Sequence, residues 1–271
     1  MTPFVMEEMI KQTFVSMIIM SRNSSDCLPD WPKIIWPKYS PLRKGGQSGD
    51  ETVKRFSEQE LKQKFLEVLI GEKYNVYYSV ETPTMDGYYF SGKSPVIKHH
   101  ADGGQSGNFD LTIYHKSVIG NHIEFKSGNP ETNSISKDLL KLSNEPYCNE
   151  VHLQLCNEDS SYSESCKNCN DYKGVENYYI HIVDRFNETI KTSLNNKLLD
   201  NEVKNEINKS LECSKNQIYV YILVLSNLIQ SNTQGYYKFE FVDRSSNQRI
   251  EKIDWDNSWH RYDNIHCDFL E

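Results

Sequence analysis

Residues 106–129 read SGNFDLTIYHKSVIGNHIEFKSGN, and two parts of this stretch alternate between apolar and polar side chains. The alternation covers Phe109 to Tyr114 and His122 to Lys126. A period of two is the pattern of a half-buried β-strand. The stretch therefore predicts a β-hairpin around which the rest of the chain is arranged.

The two faces of this predicted hairpin differ in chemistry. Leu111 and Ile113 lie on one face of the first strand, and Asp110 lies on the other. Because side chains alternate along a strand, any register that joins the apolar faces also joins the polar ones. Asp110, Glu124 and Lys126 are then predicted to project together. Two carboxylates and an ammonium group on neighbouring strands are the components of a divalent-metal site with a catalytic lysine.

A well-marked helix is predicted before the hairpin. Ser57 and Glu60 form a capping box, and Gly71 ends the helix. Apolar residues at helical spacing follow the cap, which is typical of a helix packed on a sheet. The other elements predicted before the hairpin are a strand at Tyr74–Val80, a short return strand at Tyr88–Phe90 and a loop over residues 91–108.

A second helix is predicted after the hairpin. Ser134 or Ser136 is expected to cap it, and Pro146 to stop it. The next strand is predicted at Val151–Leu155. The order is thus helix, three strands, helix and strand, which indicates a mixed α/β layer with the acidic hairpin near its middle.

This order and its motif resemble the PD-(D/E)XK phosphodiesterase superfamily, which includes restriction endonucleases and Holliday junction resolvases. The family's acid matches Asp110, and its (D/E)-x-K signature matches Glu124-Phe125-Lys126. The resemblance covers about residues 55–156. It implies an α/β, restriction-endonuclease-like mixed sheet flanked by helices, with an N-terminal arm and a C-terminal extension.

The resemblance also implies a metal site. Mg²⁺, or Mn²⁺, would be held by Asp110, Glu124 and the backbone carbonyl of Phe125. Lys126 would orient a water molecule or help to deprotonate it, since a nearby cation favours the neutral amine.

Three further residues are predicted to support this site. Many members of the superfamily carry a glutamate early in the first helix, where Glu60 stands here. Glu81, just past the first strand, is another candidate acid. Lys137 matches the basic or polar residue that often lies early in the following helix.

The predicted function is a Mg²⁺-dependent endonuclease that hydrolyses phosphodiester bonds and has a role in restriction or phage defence. DNA is favoured over RNA as its substrate. The alternatives are a solvated cross-strand ion-pair patch, or an inactive nucleic-acid-binding or scaffold protein of the same fold. Cutting both strands of a duplex would call for a homodimer, although no dimerisation helix is evident.

Composition places limits on these interpretations. The chain has 271 residues, 37% of them hydrophobic and 25% charged, with a formal net charge of −8. The negative charge counts against a simple electrostatic nucleic-acid binder but not against an enzyme with one local basic patch. A helix is predicted over residues 1–20, too charged for a signal peptide or a membrane span. We therefore predict a cytoplasmic protein without membrane contact.

A basic, aromatic-rich arm is the candidate nucleic-acid contact. Residues 1–50 are assigned to an N-terminal helix and extended arm, and residues 51–156 to the nuclease-like core. Between Trp31 and Lys64 there are eight Lys or Arg residues against four acids. Such a surplus suits a phosphate backbone, and a solvated arm is the equal alternative. The residues predicted to bind nucleic acid are Lys33, Lys38, Arg43, Lys44, Lys54 and Arg55.

Residues 157–271 are predicted to extend the same α/β domain and to include a cysteine-containing insertion at 157–174. Cys166 and Cys169 have the spacing of half a zinc site, which would make the chain a zinc-stabilised interaction protein. Free thiols are the favoured interpretation, because only half of the motif is convincing. The elements predicted after the insertion are strands at 177–183, 217–226 and 236–242 and a helix over 184–211 with a break near Asp200.

Overall fold

An eight-stranded mixed β-sheet runs through the computed structural model of the chain. The structure describes residues 3–21, 38–39, 53–54, 57–71, 76–89, 96–98, 105–114, 120–145, 174–230 and 233–262. Across the sheet, the strands follow one another in the order Trp259–Arg261, Thr233–Glu240, Gln217–Asn227, Glu176–Phe186, Gly120–Ser127, Gln105–Tyr114, Tyr77–Tyr89 and Val96–Lys98. The three consecutive strands from Gln217–Asn227 to Gly120–Ser127 are parallel to one another, and the remaining neighbours are antiparallel.

Five helices belong to the described residues. They are α1 (Pro3–Ser21), α2 (Glu58–Gly71), α3 (Thr132–Asn144), α4 (Glu188–Leu198) and α5 (Lys204–Ser214). Among the described helices, none is long and apolar enough to cross a membrane.

The strands of the main sheet are β3 (Tyr77–Tyr89), β4 (Val96–Lys98), β5 (Gln105–Tyr114), β6 (Gly120–Ser127), β7 (Glu176–Phe186), β8 (Gln217–Asn227), β9 (Thr233–Glu240) and β12 (Trp259–Arg261). Two small hairpins accompany it. They pair β1 (Lys38–Tyr39) with β2 (Val53–Lys54), and β10 (Val242–Asp243) with β11 (Gln248–Arg249).

Helices cover both faces of the sheet and divide its core into two parts. Helices α1 and α2 pack on one face, where Phe14 and Phe65 join Phe125. Helices α3, α4 and α5 pack on the other face, where Leu139 joins Val220. The predicted architecture of a large mixed sheet flanked by helices is therefore confirmed.

The burial of strand β8 on both faces of the sheet follows from its apolar sequence. Strand β8 is apolar along almost its whole length, and its alternate residues enter the two opposite cores, as Val220 and Tyr221 do. A run that is apolar on both sides is typical of a strand covered on both faces. The predictions of helices at 1–20 and from Ser57 to Gly71, and of the strands around 177–183, 217–226 and 236–242, are confirmed.

Three predictions near the hairpin were wrong. Strand β3 does not end at Val80 but runs on to Tyr89, so Tyr88 belongs to this strand and not to a separate return strand. The register of β3 against β5 shifts between Pro83 and Gly87. An irregularity at the sheet edge tolerates a proline, which cannot donate to the ladder. Part of the predicted loop at 91–108 is strand, since it contains β4 and the start of β5.

Helix α3 begins differently from the prediction. Its N-cap is Glu131, without a side-chain hydrogen bond, and not Ser134 or Ser136. The amide of Ser134 donates instead to the backbone carbonyl of Glu131, at 3.0 Å. The turn from β6 toward α3 passes through Gly128, whose φ of 68° is a conformation that glycine adopts without strain.

Strand β6 has a second neighbour on the side away from β5. It is β7, which pairs in parallel with β6 from Ile123↔Tyr178 to Ser127↔Ile182. The predicted strand at Val151–Leu155 lies outside the described residues, as does Pro146. The predicted helix over 184–211 begins later, because β7 continues to Phe186, and its predicted break separates α4 from α5.

Candidate active site

Hydrogen bonding between β5 and β6 stops where the predicted catalytic residues begin. The last paired residues of the ladder are Leu111 and Ile123. Beyond them, the backbone amide of Phe125 donates to the Asp110 carboxylate Oδ2 at 2.8 Å. In an extended strand the carbonyl of a residue points to the same side as its amide. The Phe125 carbonyl therefore also faces the gap that Asp110 occupies.

The alternation of β5 breaks at this gap, which corrects the prediction that Asp110 shares a face with Glu124. Phe109 packs in the core on the α3 side and stacks on His122 with ring centroids 4.1 Å apart, whereas Leu111 packs on the α1 and α2 side. Asp110 between them points along the sheet, toward β6. The three predicted residues still meet, but at the end of a ladder and not on one face.

Among the described residues, eight charged side chains surround this point, and we call them the lysine–carboxylate cluster. Its members are Glu58, Lys62, Glu81, Asp110, Glu124, Lys126, Asp138 and Lys141. Five carboxylates face three ammonium groups, a surplus of two negative charges if all are ionised. Such a surplus favours binding of a cation.

Glu124 is the most deeply buried acid of the cluster. Its side chain is 3% exposed, and its Oε1 accepts a hydrogen bond from the Lys141 ammonium. Burial and the neighbouring Asp138 raise the pKa of Glu124 well above its usual range, while Lys141 works against that rise. Glu124 therefore depends on a cation in contact with it to stay ionised at neutral pH.

Lys126 is held by acids from both helical layers. Its Nζ lies 2.8 Å from Asp138 Oδ2 on α3 and 3.9 Å from Glu58 Oε1 on α2. Burial alone would lower the pKa of Lys126, but Asp138 and Glu124 outweigh burial and raise it. Among the described residues, the groups beside the amine are anionic and favour its protonated form. A shift toward the neutral amine beside a bound cation stays a prediction.

The acid that α2 brings to Lys126 is Glu58 and not the predicted Glu60. The Glu60 carboxylate accepts a hydrogen bond from the backbone amide of Ser57 at 2.8 Å and another from its hydroxyl. The predicted capping box is thus confirmed, and it turns Glu60 away from the site. Burial is the largest cause of the raised pKa of Glu58.

Glu81 does reach the cluster, through a lysine that the sequence did not single out. Lys62 Nζ lies 2.6 Å from Glu81 Oε1 and 4.0 Å from Asp110 Oδ1. Glu81 has a φ of 51°, which is costly for a residue other than glycine. This backbone conformation lies between the pairs Val80↔Leu111 and Thr82↔Phe109, beside Asp110.

On α3 the ammonium group within the cluster belongs to Lys141, and Lys137 is a half-buried neighbour of Asp138. Sequence reasoning missed both Asp138 and Lys141. Their spacing of three residues, on the same helix as Ile135 and Leu142, was the available signal, because such a pair lies on one side of a helix. Both are almost completely buried.

A buried hydroxyl group beside the acids bears on whether a hydrated cation fits the site. Tyr179 pairs in register with Glu124, and its hydroxyl has no hydrogen-bond partner among the described residues. Burial raises the pKa of Tyr179, and so do the nearby charges of Asp138, Glu58 and Glu124. An unpartnered buried hydroxyl next to carboxylates is a position for a water molecule or a hydrated ion.

The donor set matches Mg²⁺ only with water as a further ligand. Within the described ranges, no group of three or more His, Cys, Asp or Glu side chains is arranged to hold a metal ion. Asp110, Glu124 and the Phe125 carbonyl supply two carboxylates and one backbone oxygen. Mg²⁺ commonly keeps several waters and uses one or two carboxylates, so these residues fit a hydrated ion.

Two buried histidines frame the site and are neutral. Burial, and then the Lys141 ammonium, lower the pKa of His122 to about 3. Burial lowers the pKa of His181 to about 4, although its Nε2 bonds the Gly128 carbonyl at 2.9 Å. Both side chains therefore serve as uncharged packing between β6 and its neighbours at neutral pH.

The other predicted sites are mostly beyond the described part of the chain. The residues in that position are Lys33, Arg43, Lys44, Arg55, Cys166 and Cys169. Lys38 and Lys54 are directly paired residues of the small β1–β2 hairpin. The basic-patch and zinc hypotheses stay predictions.

Comparison of the chain with family models, with curated proteins and with solved structures finds no match.

Proposed function

We propose that this chain is a metal-dependent nuclease with a restriction-endonuclease-like core of the PD-(D/E)XK type. The observation that carries the proposal is the meeting of Asp110, Glu124 and Lys126 where the β5–β6 ladder ends. A helix on each face of the sheet places a carboxylate beside Lys126, so side chains from both helical layers line the site.

The residues have distinct parts in the proposed reaction. Asp110, Glu124 and the Phe125 carbonyl would hold Mg²⁺ with water. The bound ion supplies a water of lowered pKa and neutralises charge on the phosphate. Lys126, protonated beside Asp138, donates hydrogen bonds to a phosphate oxygen or a proton to the leaving oxygen.

The role proposed for Lys126 depends on whether its amine is protonated. An ammonium group whose pKa is raised is a poor general base and a good cation for the scissile phosphate. The proton of the attacking water would then pass to solvent or to a carboxylate of the cluster. Glu58 is the suitable acceptor, because its pKa is raised and its side chain is 41% exposed.

A cleavage assay tests the proposal. Purified protein is mixed with plasmid, linear duplex, single-stranded DNA and RNA, in Mg²⁺, Mn²⁺ or EDTA, beside Asp110→Ala and Lys126→Ala. We expect metal-dependent cutting that both substitutions abolish while the fold persists by circular dichroism. Cutting that survives both substitutions would reject this site.

One observation favours an inactive nucleic-acid-binding or scaffold protein as the second candidate. Each motif side chain already has a protein partner: the Phe125 amide for Asp110, Lys141 for Glu124 and Asp138 for Lys126. No cutting of any substrate in any metal, together with binding of one of the nucleic acids in a titration, would favour this candidate.

A further inference from the structure

Three oxygen atoms from three elements converge on the Lys141 ammonium. They are Glu124 Oε1, Asp138 Oδ1 at 3.2 Å and the backbone carbonyl of Asn108 at 2.7 Å. The Phe109 ring lies beneath the ammonium, with 5.4 Å between Nζ and the ring centroid. Carboxylate and carbonyl oxygens are also the ligands of hard metal cations.

The ion pairs around Lys141 lie in the interior of the protein and not on its surface. The side chains of Glu124, Asp138 and Lys141 are 3%, 8% and 7% exposed. A buried ionised carboxylate is strongly disfavoured unless a cation contacts it, so an ionised Glu124 needs a positive group at this position. In the chain alone, that cation is Lys141.

We propose that Lys141 is an internal cation that competes with a divalent metal ion for Glu124, and that metal loading requires its ammonium to leave that carboxylate. The proposal rests on the proposed function in taking Glu124 as a metal ligand. It adds a regulatory exchange between a side chain and an ion.

Asp138 makes such an exchange feasible. One of its oxygens holds Lys126 at 2.8 Å, and the other holds Lys141 at 3.2 Å. When Lys141 moves away from Glu124 it keeps this second acid partner three residues away on its own helix. Its flexible four-carbon stem permits the shift, so neither charge has to be left buried alone.

Mn²⁺ binding measured by electron paramagnetic resonance tests the proposal without any nucleic acid. The proteins are the full chain, Lys141→Met, Lys141→Gln, and Lys191→Met as the control. Lys191 is a helical lysine on α4, 3.8 Å from Glu188 and outside the lysine–carboxylate cluster. A second set carries Glu124→Gln in addition to Lys141→Met.

We expect both Lys141 variants to bind Mn²⁺ about tenfold more tightly than the unchanged chain, since they remove the competing cation. Lys191→Met should bind as the unchanged chain does, and Glu124→Gln should abolish the gain. The thermal midpoint of the Lys141 variants should rise more on adding Mn²⁺ than that of the unchanged chain.

Equal Mn²⁺ affinity in the unchanged chain and the Lys141 variants would overturn the inference, and so would tight binding that survives Glu124→Gln. If neither Lys141 variant folds alone, refolding on addition of Mn²⁺ supports the proposal and failure to refold overturns it. The proposed nuclease fails separately: Glu124-dependent Mn²⁺ binding without any cleavage would reject the nuclease and keep the exchange.

Discussion

Helix α3 takes part in two buried polar clusters that are built on opposite principles. Around Asp138 and Lys141 it joins the lysine–carboxylate cluster, where carboxylates are held by ammonium groups. At its C-terminal end, a second cluster links Asn144 and Glu145 to Asp86 and Tyr88 of β3. We call this second group the Glu145 clasp.

The clasp satisfies its members by directed hydrogen bonds. Glu145 Oε1 accepts from the Tyr88 hydroxyl at 2.6 Å and from the Asp86 amide at 3.2 Å. Asn144 donates to the Asp86 carboxylate at 2.7 Å. Such a network fixes the end of α3 on the sheet and is what a structural polar cluster requires.

The lysine–carboxylate cluster is less completely satisfied. The hydroxyl of the adjacent Tyr179 has no hydrogen-bond partner among the described residues. The contrast teaches that burial and ionisable groups alone do not mark a functional site. Asp86 and Glu145 of the clasp accept from neutral donors, whereas the acids of the lysine–carboxylate cluster contact ammonium groups. These ammonium contacts and the orphaned hydroxyl are the features that distinguish the proposed site from the clasp.

The largest expected effect is on the rate of nucleic-acid cleavage, which should distinguish the lysine–carboxylate cluster from the Glu145 clasp. Lys126→Met should lower the rate of nucleic-acid cleavage by about 10²- to 10⁴-fold, because it removes the cation that faces the phosphate. Single-turnover cleavage of the best substrate measures it. Tyr88→Phe, in the clasp, is the matched control and should cut at the normal rate per folded molecule. If Tyr88→Phe slowed cleavage and Lys126→Met did not, the clasp and not the lysine–carboxylate cluster would be the catalytic site.

The next effect concerns pH and His181, the buried neighbour of Lys126. Its pKa is about 4 when folded and about 6.5 when unfolded, so only the unfolded chain takes up a proton as the pH falls below 6.5. This histidine should therefore cost the folded protein about 2 kcal/mol between pH 7.5 and pH 5.

His181→Gln removes that titration while keeping a donor for the Gly128 carbonyl. Urea unfolding of both proteins at pH 7.5 and pH 5 measures the difference. We expect the stability of the unchanged chain, relative to the variant, to fall by about 2 kcal/mol on acidification. A constant difference at the two pH values would show that His181 is not buried as a neutral group.

A third effect tests the clasp by stability. Tyr88→Phe removes the hydroxyl donor to Glu145 and should destabilise the fold by about 1–2 kcal/mol, since a buried carboxylate loses a hydrogen bond. Chemical denaturation measures the free energy of unfolding. An unchanged value would mean that the clasp does not fix α3.

The smallest expected effect concerns the orphaned hydroxyl. In metal-free buffer, Tyr179→Phe should leave the stability unchanged or raise it by about 1 kcal/mol, because burying a hydroxyl that lacks its hydrated-ion partner costs free energy. The denaturation midpoint is the measurement. A loss of more than about 1 kcal/mol would show that the hydroxyl has a bound partner, such as a water molecule, in the folded protein.

Local patterns in the sequence predicted much of the architecture. The capping box at Ser57, the apolar run of β8 and the two strands of the hairpin each depend on neighbours in the chain, so they were readable in advance. The extension of β3 past Pro83 was not, because it depends on β5 lying beside it. The cap of α3 could not be predicted either, because its N-cap Glu131 makes no side-chain hydrogen bond and the cap pattern pointed to serines further along the chain.

The sequence by itself placed Asp110, Glu124 and Lys126 near one end of the same hairpin, because a short connection between two strands limits where their residues can lie. Only the tertiary structure decided which charges surround them. Glu58, Lys62, Asp138 and Lys141 come from helices on opposite faces of the sheet, and packing sets their approach. The protonation of Lys126 followed from that packing, because the electrostatic environment of a buried group is set by whatever lies next to it in space.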